Sequence, residues 1–195
     1  MTIKYEKIDI GCGGNKYHPD AIGIDIAAIP GVDLVGDALV ILQNFENNSV
    51  GHIYSSHFLE HHEKPELILK EMVRVLVPGG LIELKVPHFS DPWYYSDPTH
   101  KHFFGLYTFA YYFENNMFSR KVPSYSLIAG AKIERLELRF GSTRPFYIRH
   151  AFKKIIQALV NVCDYTREFY EEFLTGYIHC SEIKISIKAI KNELC

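Results

Sequence analysis

The sequence predicts a single α/β domain built on a mostly parallel seven-stranded sheet whose last strand runs antiparallel. Three observations carry that prediction. Residues 7–26, KIDIGCGGNKYHPDAIGIDI, set a glycine turn between two short apolar runs that each carry an acid. Residues 53–86 hold an amphipathic helix between two apolar runs, the pattern of a parallel crossover. Residues 182–190 alternate strictly, Ile183, Ile185 and Ile187 against Lys184, Ser186 and Lys188, as a strand with one face in water does.

The first strand is expected over residues 7–10 and the second over 21–26. Only ten residues separate them. A parallel crossover takes about 10 to 12 residues and normally carries a full helix, so the helix after the glycine turn shrinks to one turn or is missing; Pro19 reinforces this. Residues 32–35 form a third apolar run, closed at once by Gly36, Asp37 and Ala38. A turn at residues 44–48 leads to a fourth strand over 51–56, followed by HFLEHH. Over residues 64–77 the apolar period becomes helical; Pro65 suits the first turn, and Pro78-Gly79-Gly80 is expected to end the helix before a fifth strand at 81–86. Residues 88–112 hold the only Trp and three of the ten His, and read as a long functional loop leading into a helix around 106–113. Residues 132–140 alternate and pair with 182–190 to close the sheet. Residues 148–178 are helical in pattern. The whole of 1–195 reads as one domain, with a cover at 88–130, a helical insertion at 148–178 and no internal repeat.

Composition narrows the function classes. A net charge of -2 offers no electrostatic invitation to nucleic acid. Residues 1–10 lack a signal-peptide core, and no apolar run reaches the roughly 18 residues a spanning helix needs, so a cytoplasmic location is expected. Cys12, Cys163, Cys180 and Cys195 are scattered without a C-x-x-C pair and read as free thiols. Lys153 and Lys154 followed by IIQALVNV fit a helix that covers the core, contacts a second subunit in a homodimer, or lies on a membrane surface.

The chemistry concentrates where the first three strands end. Glycines at 11, 13 and 14 let the backbone turn sharply and approach a ligand. Asp25, at the end of the second strand, is placed to accept hydrogen bonds from both hydroxyls of a ribose, and Asp9 and Asp37 stand at the neighbouring strand ends. A dinucleotide fingerprint would want a third glycine where Lys16 stands, and no G-x-x-x-x-G-K-[ST] exists. S-adenosylmethionine, with ribose and adenine but no pyrophosphate, needs no phosphate-cradling helix.

These segments, IDIGCG, GIDI, DLVGDA, SSHFLEHH, VLVPGGLIELKVPHF and DPTHKHFF, resemble the small bacterial type of class I S-adenosylmethionine-dependent methyltransferase, over essentially the whole chain. The resemblance implies a Rossmann-like sheet with helices on both faces and S-adenosylmethionine as cofactor. It implies that Gly11, Cys12 and Gly13 line the methionine part, that Asp25 takes the ribose and that Asp37 bonds the adenine amino group. Ser56 or His57 would lie beside the cofactor, with Asp9 near the methionine amine; Ile26 and Ala38, following two of the acids, complete the candidate set. The shortened segment after the glycine turn departs from the wider superfamily, where a full helix stands.

Ten histidines raise the question of a metal, but adjacent His61 and His62 are poorly spaced as ligands and no H-E-x-x-H occurs, so no metal site is expected. The candidates for a general base are His88, Asp97, His100 and His102. A sugar hydroxyl is a poor nucleophile and gains from proton removal, which suits histidine near neutral pH. Asp97 would orient His100, or else Asp97-Pro98 caps a helix beginning at Thr99. The resemblance implies methyl transfer to a small polar acceptor, a sugar, nucleotide sugar or glycan intermediate. The alternatives are a non-catalytic S-adenosylmethionine-binding subunit and an NAD-dependent oxidoreductase.

Overall fold

The computed structural model describes residues 4–114, 117–123 and 127–191. Seven strands form one sheet in the order β3-β2-β1-β4-β5-β7-β6. They are β1 (Tyr5–Ile10), β2 (Ile22–Asp25), β3 (Leu34–Val35), β4 (Val50–Ser56), β5 (Leu76–Pro87), β6 (Ala131–Arg139) and β7 (Glu182–Ala189). Strand β7 alone is antiparallel to its neighbours, as the alternation of its residues led us to expect. The order reverses between β1 and β4, and the crevice at their carboxyl ends is where an open sheet of this kind binds ligands.

Among the described residues four α-helices accompany the sheet: α1 (Ala38–Gln43), α2 (Pro65–Val75), α3 (Tyr147–Val160) and α4 (Asp164–Phe169). The apolar period of α2 buries Ile68, Leu69 and Met72 completely. Each such side chain contributes roughly 1.5 to 3 kcal/mol of burial, which is why this helix was the plainest in the sequence. Helix α1 was not anticipated. Asp37 caps it, its Oδ1 accepting from the Val40 amide at 3.1 Å.

Several boundaries moved. Pro78, Gly79 and Gly80 do not precede β5 but lie inside it, where the pairing with β4 shifts register between Val50 and His52. The helix expected around 106–113 is a short 3₁₀ turn, Thr108–Tyr111. The aromatic residues in and around it act as core: Phe104, Phe109 and Phe113 are buried with Leu106. Residues 148–178 divide into α3, α4 and a π-turn, Tyr170–Leu174.

The two faces of the sheet differ. One carries Ile8, Ile10, Ile53, Ile82, Leu84 and Ile185 into the core. On the other, where a second helical layer was expected, polar side chains alternate with them; Lys184 pairs with Glu83 at 3.0 Å, and His52, whose pKa burial lowers, lies 3.4 Å from the same carboxylate. The short crossover at residues 11–21 folds over that face, Tyr17 stacking on Tyr54 at 5.0 Å. In place of a helix the crossover is held by carboxylates: Asp9 accepts from the Tyr17 amide at 2.5 Å and Asp33 from the Gly23 amide at 2.7 Å.

Cys12, Cys163 and Cys180 are free thiols, and Cys195 lies outside the described residues. Among the described residues no helix is long and apolar enough to cross a membrane.

Candidate functional site

Gly11 sits at the head of β1 with φ +71°, and a Cβ there would fall 2.6 Å from the Cβ of Phe58. Only glycine fits both the turn and that contact. The backbone thereby makes a saddle between two concavities. One, of about 470 Å³, is lined by Asp25, Ile26, Asp37, Ala38 and His57. The other, of about 250 Å³, is lined by Asp9, Cys12 and Ser56 with Tyr54 and Lys85. Gly11 lines both, and nine of the ten candidate cofactor residues line one or the other of these two adjoining concavities. The tenth, Gly13, with φ +52°, donates its amide to Asp25 Oδ2 at 2.8 Å.

Asp25 is half-buried and also accepts from the Ala27 amide through Oδ1 at 2.9 Å. Each oxygen thus holds one backbone donor and keeps lone pairs for further donors, which fits a ribose diol. Asp37 has one oxygen in the α1 cap and the other open to the cleft side. Asp9 is 3 % exposed, and burial raises its carboxyl pKa against the opposing effect of the Tyr17 amide. Burial likewise pushes the Cys12 thiol up to about 11, so it lines the cleft as a neutral group.

His57 ends β4 in the left-handed region at φ 53°, a conformation that costs a non-glycine residue of order 1 kcal/mol or more. Two carboxylates hold it there: Glu182 Oε2 lies 3.3 Å from its Nε2 and Glu60 Oε1 3.3 Å from its Nδ1. Hydrogen bonding to Glu182, then to Glu60, pushes its pKa up to about 9, making it a cation rather than a base at neutral pH.

The three catalytic candidates do not share a site wall. His88 is fully buried, with its Nδ1 accepting from the Ser90 amide at 3.1 Å, which places its ring proton on Nε2, 3.0 Å from Glu171 Oε2. His100 directs Nδ1 at the Tyr94 carbonyl, 2.9 Å away, so Nδ1 carries the proton and Nε2 keeps its lone pair. Asp97 Oδ2 is 3.8 Å from that Nε2, too far for a hydrogen bond. Asp97 instead accepts from the Thr99 amide at 2.8 Å and the Thr99 hydroxyl at 2.6 Å; no helix starts at Thr99. Those Thr99 bonds lower the Asp97 pKa. His102 Nε2 lies 3.3 Å from the Glu63 carbonyl.

Sequence reasoning missed three carboxylates. Glu60 is completely buried beside His61 and His100, and one ligand atom from each of the three lies within 4.8 Å of the others. Its place in LEHH was visible; its burial was not. Glu171 and Glu182 reach their histidines across 83 and 125 residues of chain, which no local pattern announces.

Residues 8–84 match the family model of a methyltransferase domain. No curated protein matches the sequence. Among solved structures, a S-adenosylmethionine-dependent methyltransferase from Archaeoglobus fulgidus is similar, with 16% identity and a TM-score of 0.59, covering 95% of this chain and 87% of that one. A methyltransferase from Bacillus halodurans is comparable, with 16% identity, a TM-score of 0.57 and coverage of 98% and 95%. The phosphoethanolamine N-methyltransferase 2 of Haemonchus contortus, solved with phosphomonomethylethanolamine and S-adenosylhomocysteine, has 15% identity and a TM-score of 0.54; it covers 98% of this chain, which spans half its length. The resemblance drawn from the sequence is borne out over residues 8–84, which match a methyltransferase domain, and in the fold, which is shared with solved S-adenosylmethionine-dependent methyltransferases.

Proposed function

We propose that the protein methylates a hydroxyl of a small polar acceptor, a sugar, nucleotide sugar or glycan intermediate, in the cytoplasm. The observation that carries this reading is the His100 ring, whose Nε2 lone pair is free and whose Nδ1 proton is fixed by the Tyr94 carbonyl, in the segment that follows β5. When bound, the cofactor supplies a sulfonium-activated methyl group. Asp25 and Asp37 hold its ribose and adenine, Asp9, Gly11, Cys12 and Gly13 its methionine part, and Ile26, Ala38, Ser56 and His57 the remaining walls. His57, already cationic, leaves proton removal to His100.

With the cofactor bound, an acceptor hydroxyl held beside it would receive the activated methyl group as it gives up its proton. The hydroxyl proton passes to His100 Nε2. Asp97 lies near enough to stabilise the imidazolium through space. His88 serves as a positioning residue, clamping the start of the 88–130 cover to Glu171. Alignment of the acceptor and exclusion of water do the rest.

Assembly belongs to the same reading. Ile148, Phe152, Ile155 and Leu159 are exposed along one side of α3, and a second copy of the chain is the occupant we assign to them. The deciding experiment incubates the protein with methyl-labelled S-adenosylmethionine and a panel of free sugars, sugar phosphates and nucleotide sugars. Label in a methyl ether is expected. Cofactor binding with no label in any acceptor, and no effect of His100→Ala, favours the non-catalytic subunit.

A further inference from the structure

Behind the His57–Glu182 pair lies a separate cavity of about 620 Å³. The segment after β5, the carboxyl end of β6, the start of β7 and the first turns of α3 enclose it. Arg139, Arg149, Lys153 and Lys154 line it against only Asp91 and Glu182, an excess of two fixed positive charges. Both acids are engaged, Asp91 with the Trp93 amide at 3.1 Å and Glu182 with His57 at 3.3 Å. Arg149 and Lys154 donate to neutral oxygens, Ser142 Oγ at 2.8 Å and Gln157 Oε1 at 3.0 Å, so their charges stay uncompensated.

Two further buried polar atoms, one of them a fixed guanidinium donor, lack a partner among the described residues: Arg139 Nε and His179 Nδ1. A buried guanidinium N–H left unpaired is destabilising, so a ligand supplying several acceptor oxygens would be drawn there. Guanidinium forks and ammonium groups around one space match a multiply charged oxyanion better than a single carboxylate. Trp93, 67 % exposed at the edge, offers an aromatic face to the apolar side of a sugar ring.

We infer that this cavity is an oxyanion subsite that takes the phosphate or pyrophosphate group of a phosphorylated acceptor. Describing its ligand as the acceptor rests on the methyl-transfer reading above; the anion site itself does not. Glu182 joins the two concavities, since it lines this one and holds His57, which lines the cofactor cleft. A phosphorylated sugar seated here has its phosphoryl end in the cationic cavity and its ring toward Trp93. The phosphoryl group can come from a soluble nucleoside diphosphate sugar or from a lipid-linked glycan.

The test is calorimetric titration of inorganic pyrophosphate into the protein saturated with S-adenosylhomocysteine. The comparison is between the wild type, the double variant Arg149→Gln/Lys153→Gln, and Lys132→Gln as a control on exposed β6. Saturable binding to the wild type and control, weakened at least about tenfold in the double variant with S-adenosylhomocysteine affinity unchanged, is expected. No binding, or equal binding in all three proteins, overturns the subsite. Failure to bind S-adenosylhomocysteine would instead strike the cofactor reading, so the two failures stay distinct. Repeating the titration with uridine diphosphate and with phosphatidylcholine vesicles carrying phosphatidic acid identifies the source. Arginine-dependent binding of either supports the site, and binding of neither rejects it.

Discussion

The cofactor half and the cover half of this molecule are built by opposite rules. From β1 to β4 each functional group sits within a few residues of a strand end, and the contacts that fix it are short in sequence: Gly13 to Asp25, Tyr17 to Asp9, Val40 to Asp37. From β5 onward the equivalent contacts are long: His88 to Glu171, Leu106 to Glu171 and Arg120 to Glu168; His57, at the end of the first half, is tied across 125 residues to Glu182 and joins the two. The first half is a turn and three strand ends that serve any acceptor. The second is assembled by tertiary closure, and on the proposed reading acceptor specificity resides there.

If that division is right, changes in the cover half alter rate and stability while sparing cofactor affinity, and changes in the cofactor half do the reverse. The largest effect is expected from His100→Ala, a loss of about 10²- to 10⁴-fold in the methyl-transfer rate, the usual contribution of a general base. Unchanged S-adenosylhomocysteine affinity in that variant sharpens the division. An intact rate breaks it.

Next is Glu171→Ala. It strips acceptors from buried His88 and from the Leu106 amide, at a cost of about 3 kcal/mol in urea unfolding. Asp25→Ala should weaken S-adenosylhomocysteine by roughly tenfold to a hundredfold, with a smaller change in unfolding, because it loses ligand bonds and frees the Gly13 and Ala27 amides in a solvent-accessible turn.

The smallest is a pH effect. Burial alone would raise the Glu168 pKa, but the amides of Arg120 and Ser119 and the Tyr107 hydroxyl outweigh it and hold the pKa below its ordinary 4.5. A depressed carboxyl pKa stabilises the fold above the unfolded value, and that stability is lost as pH falls through the folded one. The urea midpoint should therefore drop below about pH 4.5, and less steeply in Glu168→Gln. Equal slopes would show that Glu168 does not latch the cover.

What was legible follows the same line. The seven strands, the antiparallel β7 and the amphipathic α2 are written in periods of two and 3.6 residues, which burial enforces locally. The glycine turn was legible because a positive φ at Gly11 admits few residues. Helix α1 was hidden because six residues scarcely establish a period. The buried role of Phe104, Phe109 and Phe113 and the burial of Glu60 depend on what packs over them, and nothing in their neighbours states it. The cationic cavity is the extreme case, since its charges come from four separate stretches of chain.

The account stands most directly on the cofactor. Thermal unfolding with S-adenosylhomocysteine at about a hundred times its Kd should show a gain of about 2.7 kcal/mol, a rise of roughly 5 to 10 °C for a chain of this size, and NAD should leave the midpoint where it was. A midpoint raised by NAD and unmoved by S-adenosylhomocysteine would contradict it.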